Sequence, residues 1–272
     1  MTTTKMKKNK VAIVVSDSEE SFKVKNKLIE RIHQSGQLEL DEFFPGIVIS
    51  IGGDGTFLRA FHQYRNRLDE VSFVGIHTGH LGFYTDWLAE EVDELMEILE
   101  SEQKRINSYP LLEITTEKSD GTKEKHIALN EATIRKSSAT WKGEIFISGE
   151  FFENFRGDGI SISTPTGSTG YNKSIGGAVV HPSIATLQLS EIASLNNRVF
   201  RTLGSSLIIG PEEDLSVHIT DSEGTILTMD NLEFPCNDLQ RAFFKISKKK
   251  VSFLAEKDVT FWRRVRTAFI GE

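Results

Sequence analysis

Apolar positions come in two rhythms along this chain, and they divide it. Between residues 10 and 76 short apolar runs alternate with helical stripes. Ile47-Val48-Ile49-Ser50-Ile51 is short, unalternated and β-branched, the signature of a strand buried on both faces of a parallel sheet. Gly52-Gly53-Asp54-Gly55-Thr56 follows it, and then Phe57, Phe61, Tyr64 and Leu68 recur at helical spacing. The pattern predicts strand, glycine turn, helix. Val11–Val15 predicts an earlier strand. After it come the helix-start cluster Ser16-Asp17-Ser18 and a stripe of Leu28, Ile29 and Ile32 ending near Gly36. Residues 37–46 read as an acidic, proline-containing loop, and residues 71–76 as a third strand. A β-α-β-α-β order implies a right-handed, doubly wound α/β domain with a parallel sheet. A further helix is expected from Leu88 to Leu99, with Glu90 and Glu91 in its first turn, where the helix dipole favours acids.

At Ser108-Tyr109-Pro110 the period changes from helical to two. Ile160 and Ile162, then Leu215, Val217 and Ile219, then Ala242, Phe244 and Ile246 alternate with polar residues. Asp120-Gly121 and Ser148-Gly149-Glu150 read as hairpin turns, and Lys248-Lys249-Lys250 as a solvated turn. This predicts a mainly antiparallel β domain over 108–257. Residues 258–272 turn helical again: Val259, Trp262, Val265 and Phe269 form a stripe, with Arg263, Arg264 and Arg266 on its solvated or interface side. The expected domains are therefore 1–107 with 258–272, and 108–257.

Composition narrows the function classes. The 272 residues carry a net charge of −7, which argues against a nucleic-acid protein. Cys236 is the only cysteine, so neither an intramolecular disulfide nor a cysteine zinc cluster can form, and a reducing cytosol fits best. Residues 1–10 are polar and basic, unlike a signal peptide, and no run approaches the ~18 apolar residues of a membrane span.

The candidate chemistry lies at the glycine turn and in two stretches of the β domain. Ligands of open α/β sheets bind beyond the carboxyl ends of the strands, where Gly52 to Thr56 and the loop from His77 to Asp86 fall. Glycines let the backbone approach a ligand, and the helix that follows offers N–H groups to anionic oxygens. Asp54 is odd in a plain phosphate cradle, because it repels phosphate. It suits proton acceptance from a hydroxyl, or holding a hydroxyl or a metal. His77 and His80 stand three apart, but without cysteines or a nearby acidic third ligand they read as loop packing. In the β domain Asn130-Glu131 interrupts an alternating strand, as a bulge or edge would. An amide beside a carboxylate also suits a ribose diol or an amide, because the pair both donates and accepts. Arg156-Gly157-Asp158-Gly159 leads through a strand into Ser163-Thr164-Pro165-Thr166-Gly167-Ser168-Thr169-Gly170-Tyr171-Asn172-Lys173-Ser174, rich in small donors. It is neither a Walker A loop nor a Rossmann fingerprint.

Together these residues resemble the NAD kinases. The likeness rests on GGDGT after a central strand, Asn130-Glu131, Asp158-Gly159, the Ser-Thr-Pro-Thr-Gly-Ser-Thr-Gly-Tyr run and Gly176-Gly177. The loop His77-Thr78-Gly79-His80-Leu81-Gly82-Phe83 and the segment Asn196-Asn197-Arg198-Val199-Phe200-Arg201 resemble the form found in Gram-positive bacteria. The resemblance implies an α/β domain, then a β domain, with the C-terminal segment returning to the first. It implies phosphorylation of the 2′-hydroxyl of the adenosine ribose of NAD, giving NADP, with ATP, other nucleoside triphosphates or polyphosphate as donor and a divalent metal, Mg²⁺. It makes Asp54 the proton acceptor, with Gly52, Gly53, Gly55 and Thr56 on the phosphate side. NAD would meet Asp54, Gly55, Asn130, Glu131, Arg156, Asp158, Thr169, Gly170, Tyr171, Asn172, Lys173, Ser174 and Ala193. A cytoplasmic homodimer or homotetramer is implied, without nucleic-acid or membrane partners. His77, Gly170 and Asp230-Asn231 depart from the common family pattern, and the last blurs the far end of the site. GGDGT alone is shared with lipid kinases, so a lipid or sphingoid kinase and a non-catalytic NAD(P) sensor are the alternatives.

Overall fold

The computed structural model describes residues 9–79, 81–101, 105–254, 257 and 260–271. Residues 1–8, His80 and Val259, to which the sequence reading refers, lie outside them. Two compact units divide the chain: Met1–Ser108 with Val251–Glu272, and Tyr109–Lys250.

In the first unit, strand β1 (Asn9–Val15), helix α1 (Glu19–Gln34), strands β2 (Leu38–Leu40) and β3 (Ile47–Ile51), helix α2 (Asp54–Tyr64) and strand β4 (Ser72–His77) follow in order. The strands pair in parallel as β4-β3-β1-β2, as a doubly wound sheet requires. All five residues of β3 are buried, which explains its unalternated sequence. Side chains alternate across the sheet. Val11, Ile49, Ile51, Val74 and Ile76 pack with Val24, Leu28 and Ile32 of α1. On β4, Phe73 instead packs at a tilt against Phe57 and Phe61 of α2, at 5.6 and 6.3 Å between ring centroids. Ser18 caps α1 by accepting from the Ser21 N–H at 3.2 Å. The expected loop 37–46 holds β2 instead, because Leu38 is buried against α1 and the backbone of residues 38–40 completes the edge beside β1. The helix expected from Leu88 starts later. Strand β5 (Trp87–Leu88) pairs with β4, a 3-10 turn covers Ala89–Glu91, and helix α3 (Val92–Glu100) carries the buried stripe Val92, Leu95, Met96 and Leu99.

The second unit begins with β6 (Ile106–Lys118), β7 (Lys123–Ala128), β8 (Glu131–Lys136), β9 (Trp141–Ile147), β10 (Glu150–Gly157) and β11 (Gly159–Ser163). After a 3-10 turn at Thr166–Thr169 come the single-turn helix α4 (Tyr171–Ser174), β12 (Leu187–Ile192), β13 (Leu207–Ile209), β14 (Leu215–Ile219), β15 (Thr225–Met229), β16 (Leu232–Pro235) and β17 (Leu239–Leu254). One antiparallel sheet runs β13-β12-β11-β8-β15-β16, and β10-β9-β14-β17 pair antiparallel in another. Ala132, Ile134, Ile160 and Ile162 of the first sheet meet Trp141, Ile145, Val217 and Phe244 of the second in one core. Both expected hairpin turns form, between β6 and β7 and between β9 and β10, the latter through left-handed Ser148 and Gly149. Lys248–Lys250 is not a turn: β17 runs through it unbroken, and Val251, Phe253 and Leu254 are buried. Lys248 and Lys250 face out, while Lys249 between them is half-buried on the face that carries Ser247 and Val251. Phe253 pairs in parallel with Phe73 of β4, so the end of β17 returns to the first sheet.

Helix α5 (Phe261–Phe269) closes the chain, capped by Thr260. None of its residues is buried, and Trp262 is 56% exposed. Among the described residues no helix is long and apolar enough to cross a membrane.

Candidate functional site

The glycine turn lies at the carboxyl end of β3. Gly52 adopts φ +149°, and a side chain there would meet Thr56 Oγ1 at 2.5 Å and Ser16 Cβ at 3.0 Å. Gly53 precedes α2 without a side-chain cap; the Thr56 N–H returns to the Gly53 carbonyl at 2.9 Å, which leaves the N–H groups of Asp54 and Gly55 to meet an anion. Gly55 is exposed and Thr56 half-buried in that first turn. Asp54 is half-buried, and its carboxylate is fixed by backbone. Phe83 N–H donates to Oδ2 at 2.9 Å and Tyr84 N–H to Oδ1 at 3.0 Å. Gly82 presses so closely on Asp54 that a Cβ would run into Oδ1. A carboxylate has about four acceptor sites, so two backbone bonds leave it able to accept a third.

The gripping loop is itself held. Arg264 of α5 donates to the Phe83 carbonyl at 2.9 Å and pairs with Asp86 at 2.6 Å, both side chains nearly buried. Burial pushes the Asp86 carboxyl up, and the Arg264 charge and hydrogen bond oppose it. Of the two readings that helical spacing left open, a solvated or an interface side, Arg264 takes the second: the long stem reaches back to a loop the stripe could not reveal. His77 is buried and its Nδ1 lies 3.1 Å from the Gly79 carbonyl, a packing role.

In the second unit the hydroxyl-rich loop is tied to the Asn130 turn. Thr164 Oγ1 donates to the Leu129 carbonyl at 2.6 Å, Thr164 N–H to the Asn130 carbonyl at 2.8 Å, and Thr166 Oγ1 to the Leu129 carbonyl at 3.1 Å. Gly167 lies against Asn130 with no room for a Cβ. Asn130-Glu131 is neither bulge nor edge. It is the turn entering β8, which pairs with β11 on one side and β15 on the other. Asp230 in left-handed conformation, φ +52°, holds that turn. Its carboxylate accepts from the N–H groups of Leu129, Asn130 and Glu131 at 3.0, 2.6 and 3.3 Å.

Glu131, Asp158 and Tyr171 line one cavity of about 520 Å³ with Thr133, Lys136 and Asp230. Tyr171 is 41% exposed, so its ring offers a free face. Lys136 is engaged with Asp221 at 2.7 Å. Thr169 is buried, and Gly170 lies 3.4 Å, from an ideal Cβ, from Glu131 Oε2. Lys173 and Ser174 are exposed, Ser174 Oγ donating to the Tyr171 carbonyl at 2.7 Å. Asn172 is different: fully buried, its amide donates to the Ser168 and Ala178 carbonyls and its Oδ1 accepts from Ser190, so it braces the loop from within. Arg156 places its guanidinium 3.7 Å from the Phe200 ring centroid, on the segment that follows left-handed Ala193. Sequence reasoning missed Thr133 and Lys136 as cavity residues. The polar period-two run Glu131, Thr133, Arg135 inside a strand carried part of that signal.

Comparison with known proteins decides the family. The model of the ATP-NAD kinase N-terminal domain matches residues 2–103, and that of the ATP-NAD kinase C-terminal domain residues 129–254. The chain belongs to the NAD kinase family. The NAD kinase of Enterococcus faecalis is 50% identical over 264 residues, 97% of this chain and 99% of that protein. The NAD kinase of Streptococcus thermophilus is 48% identical, over 97% of this chain and 95% of that one. The Gram-positive likeness read from the loop at His77 is thus borne out. Two solved structures share the fold. Yeast NADH kinase complexed with NADH gives a TM-score of 0.86 at 19% identity, covering 97% of this chain and 88% of that one. An NAD kinase from Archaeoglobus fulgidus in complex with ATP gives 0.71 at 22%, covering 90% and 92%.

Proposed function

We propose that this chain transfers the terminal phosphoryl group of ATP to the 2′-hydroxyl of the adenosine ribose of NAD, giving NADP. Full-length identity of 50% to a family member supports the reaction. The observation that carries the mechanism is the fixed Asp54 carboxylate at the start of α2, beside uncapped N–H groups. Phosphoryl transfer has a loose transition state, so alignment and charge stabilisation supply most of the rate. Asp54 orients the ribose hydroxyl and accepts its proton as the new P–O bond forms. Gly53, Gly55 and Thr56 lie where phosphate oxygens meet the helix N-terminus. Asn130, Glu131, Asp158 and Tyr171 hold the dinucleotide in the second unit.

Among the described residues no three His, Cys, Asp or Glu side chains converge as a metal cage. That donor set fits Mg²⁺ carried on ATP, because Mg²⁺ keeps waters and takes one or two carboxylates plus substrate phosphates. It would supply charge neutralisation on the transferring phosphate. A cytoplasmic homodimer or homotetramer belongs to the same reading. Exposed Val199, at 79%, and Trp262, at 56%, support self-association, which light scattering tests.

The test is NADP formation from NAD, ATP and Mg²⁺, read by a coupled NADP-specific dehydrogenase. Wild type is expected to form NADP, and Asp54→Asn to lower kcat by about 10²–10⁴-fold with little change in the KM for NAD. A variant that turns over normally removes Asp54 as base. No NADP with either ATP or polyphosphate, despite NAD binding, rejects the kinase reading.

A further inference from the structure

Asp54 and the cavity around Glu131 leave one segment of the second unit without a role. Residues 193–206 join β12 to β13 with neither helix nor strand. Connections beyond ~12–15 residues are uncommon in a compact unit unless they serve a function. This loop is built rather than slack. Asn197 Oδ1 accepts from the N–H groups of Val199 and Phe200 at 2.8 and 2.9 Å, and the Asn197 N–H donates to the Phe200 carbonyl at 2.8 Å. Asn196 Nδ2 crosses to the Thr202 carbonyl at 3.1 Å and closes the loop at its foot. At its start the Leu195 N–H donates to the Arg156 carbonyl at 2.7 Å.

The far end of the loop is gripped by two acids. Glu191 of β12 accepts from Thr202 Oγ1 at 2.7 Å through Oε2 and from the Gly204 N–H at 3.0 Å through Oε1. Between those contacts the Leu203 N–H donates to Glu153 Oε2 at 2.9 Å. Glu153 stands on β10 and Glu191 on β12, so residues 202–204 are clasped by carboxyls from both sheets of the unit. Gly204, at φ +71°, lets the chain bend inside the clasp. Glu153 is 8% exposed. Burial pushes its carboxyl up, the Leu203 N–H opposes that, and the charge of Glu191 and a hydrogen bond with it push up again. A proton kept on Glu153 joins the two acids where two charges would part them. Phe200 is what the clasped loop carries. The Arg156 guanidinium lies 3.7 Å from the Phe200 ring centroid, above a cavity of about 710 Å³ that Glu153 also lines. Stacking fixes the plane of a guanidinium and leaves the N–H groups along its edge free to donate.

We propose that Glu153 and Glu191 are positioning residues for dinucleotide recognition: by fixing residues 202–204 they set the Phe200 ring on which Arg156 stacks, and so aim the Arg156 guanidinium at NAD. The inference rests on the NAD kinase reading, which brings Arg156 to NAD. It gives the loop between β12 and β13 a role that phosphoryl transfer does not. Without the clasp the ring no longer fixes Arg156, and binding NAD must then order a side chain that the loop had ordered in advance.

The test is the Kd for NAD by calorimetry on the full chain, with kcat alongside. Glu191→Ala is expected to raise the Kd about three- to tenfold and to leave kcat within about twofold, because Asp54 is untouched. Glu153→Gln still offers an acceptor to the Leu203 N–H and a donor to Glu191, so its Kd should stay within about twofold of wild type. Glu153→Ala should weaken binding as Glu191→Ala does. An Arg156→Ala background is the deciding arm. There Glu191→Ala should cost less than about twofold, because nothing is left to aim. A Kd unmoved by Glu191→Ala overturns the clasp. An equal rise with and without Arg156 overturns Arg156 as the group it positions. Glu153→Gln as weak as Glu153→Ala overturns the joined pair. Should Glu191→Ala not fold by circular dichroism, Thr202→Val, which removes one donor from the grip, takes its place in both backgrounds. NADP formation is measured separately. Wild type that binds NAD without turnover rejects the kinase reading while the Kd comparisons still decide the inference, whereas no NAD binding in wild type rejects both.

Discussion

A single carboxylate and the two N–H groups that grip it set the chemistry of the first unit. Asp54 is held by Phe83 and Tyr84, and Gly82 permits the close approach. Gly82→Ala is expected to displace the carboxylate by about 1 Å and lower kcat by roughly 10²-fold, with the KM for NAD less affected; steady-state kinetics check this. Glu131 makes a prediction about stability. Its folded pKa, about 8, lies above the ordinary 4.5, so the native state binds more protons than the unfolded chain between those values. Stability from this group is therefore complete below about pH 4.5 and lost as pH rises through about 8. Wild type should lose up to about 5 kcal/mol relative to Glu131→Gln across that window, read as urea midpoints at each pH. Asp54 was legible in the sequence because a lone acid in a glycine turn is chemically conspicuous. The grip on it was not, since its donors are backbone atoms of a loop some 30 residues away.

Elements show how a helix without buried residues can still matter. Helix α5 leaves its apolar stripe half open, yet Arg264 fastens the Asp54 loop through Phe83 and Asp86. Phe83 also stacks on Phe269, with ring centroids 5.7 Å apart. Arg264→Ala is expected to cost about 3–5 kcal/mol, because it leaves Asp86 buried without its cation. It should lower kcat more than it raises the KM for NAD. Asp86→Asn in the same background should recover part of the stability but not the rate, as urea denaturation and kinetics together will show. The strand β17 teaches the complementary lesson. Three consecutive lysines look like a turn when only charge is counted, but a strand accommodates them with Lys248 and Lys250 exposed and Lys249 half-buried between Ser247 and Val251.

On the scale of the whole molecule, the second unit is one uninterrupted stretch, Tyr109–Lys250, with its own apolar core. Expressed alone it is expected to unfold cooperatively, to bind NAD weakly and to form no NADP, because Asp54 lies in the other unit. Circular dichroism, calorimetry and the coupled assay check the three parts. The first unit is not continuous. It needs residues from Val251 onward, including Phe253 stacked on Phe57 at 5.1 Å, so truncation at Lys250 should destabilise it.

What the sequence determined by itself was local. The β-α-β-α-β order, the glycine turn, the change to period two at Ser108 and the hydroxyl-rich loop follow from neighbours within one or two turns of chain. Periodicity and φ preferences act over that range. What only the tertiary structure decided depends on partners far apart in the chain. Arg264 reaches Phe83 across 181 residues, and Asp230 holds the Asn130 N–H across 100. The three-residue strand Leu38–Leu40 exists because β1 offers an edge to pair with. Likewise Asn172, a donor among donors in the sequence, is inward-facing because Ser190 and the Ala178 carbonyl close around it. Hydrogen bonds and ion pairs of this kind have no period along the chain. They appear only when folding brings their two ends together.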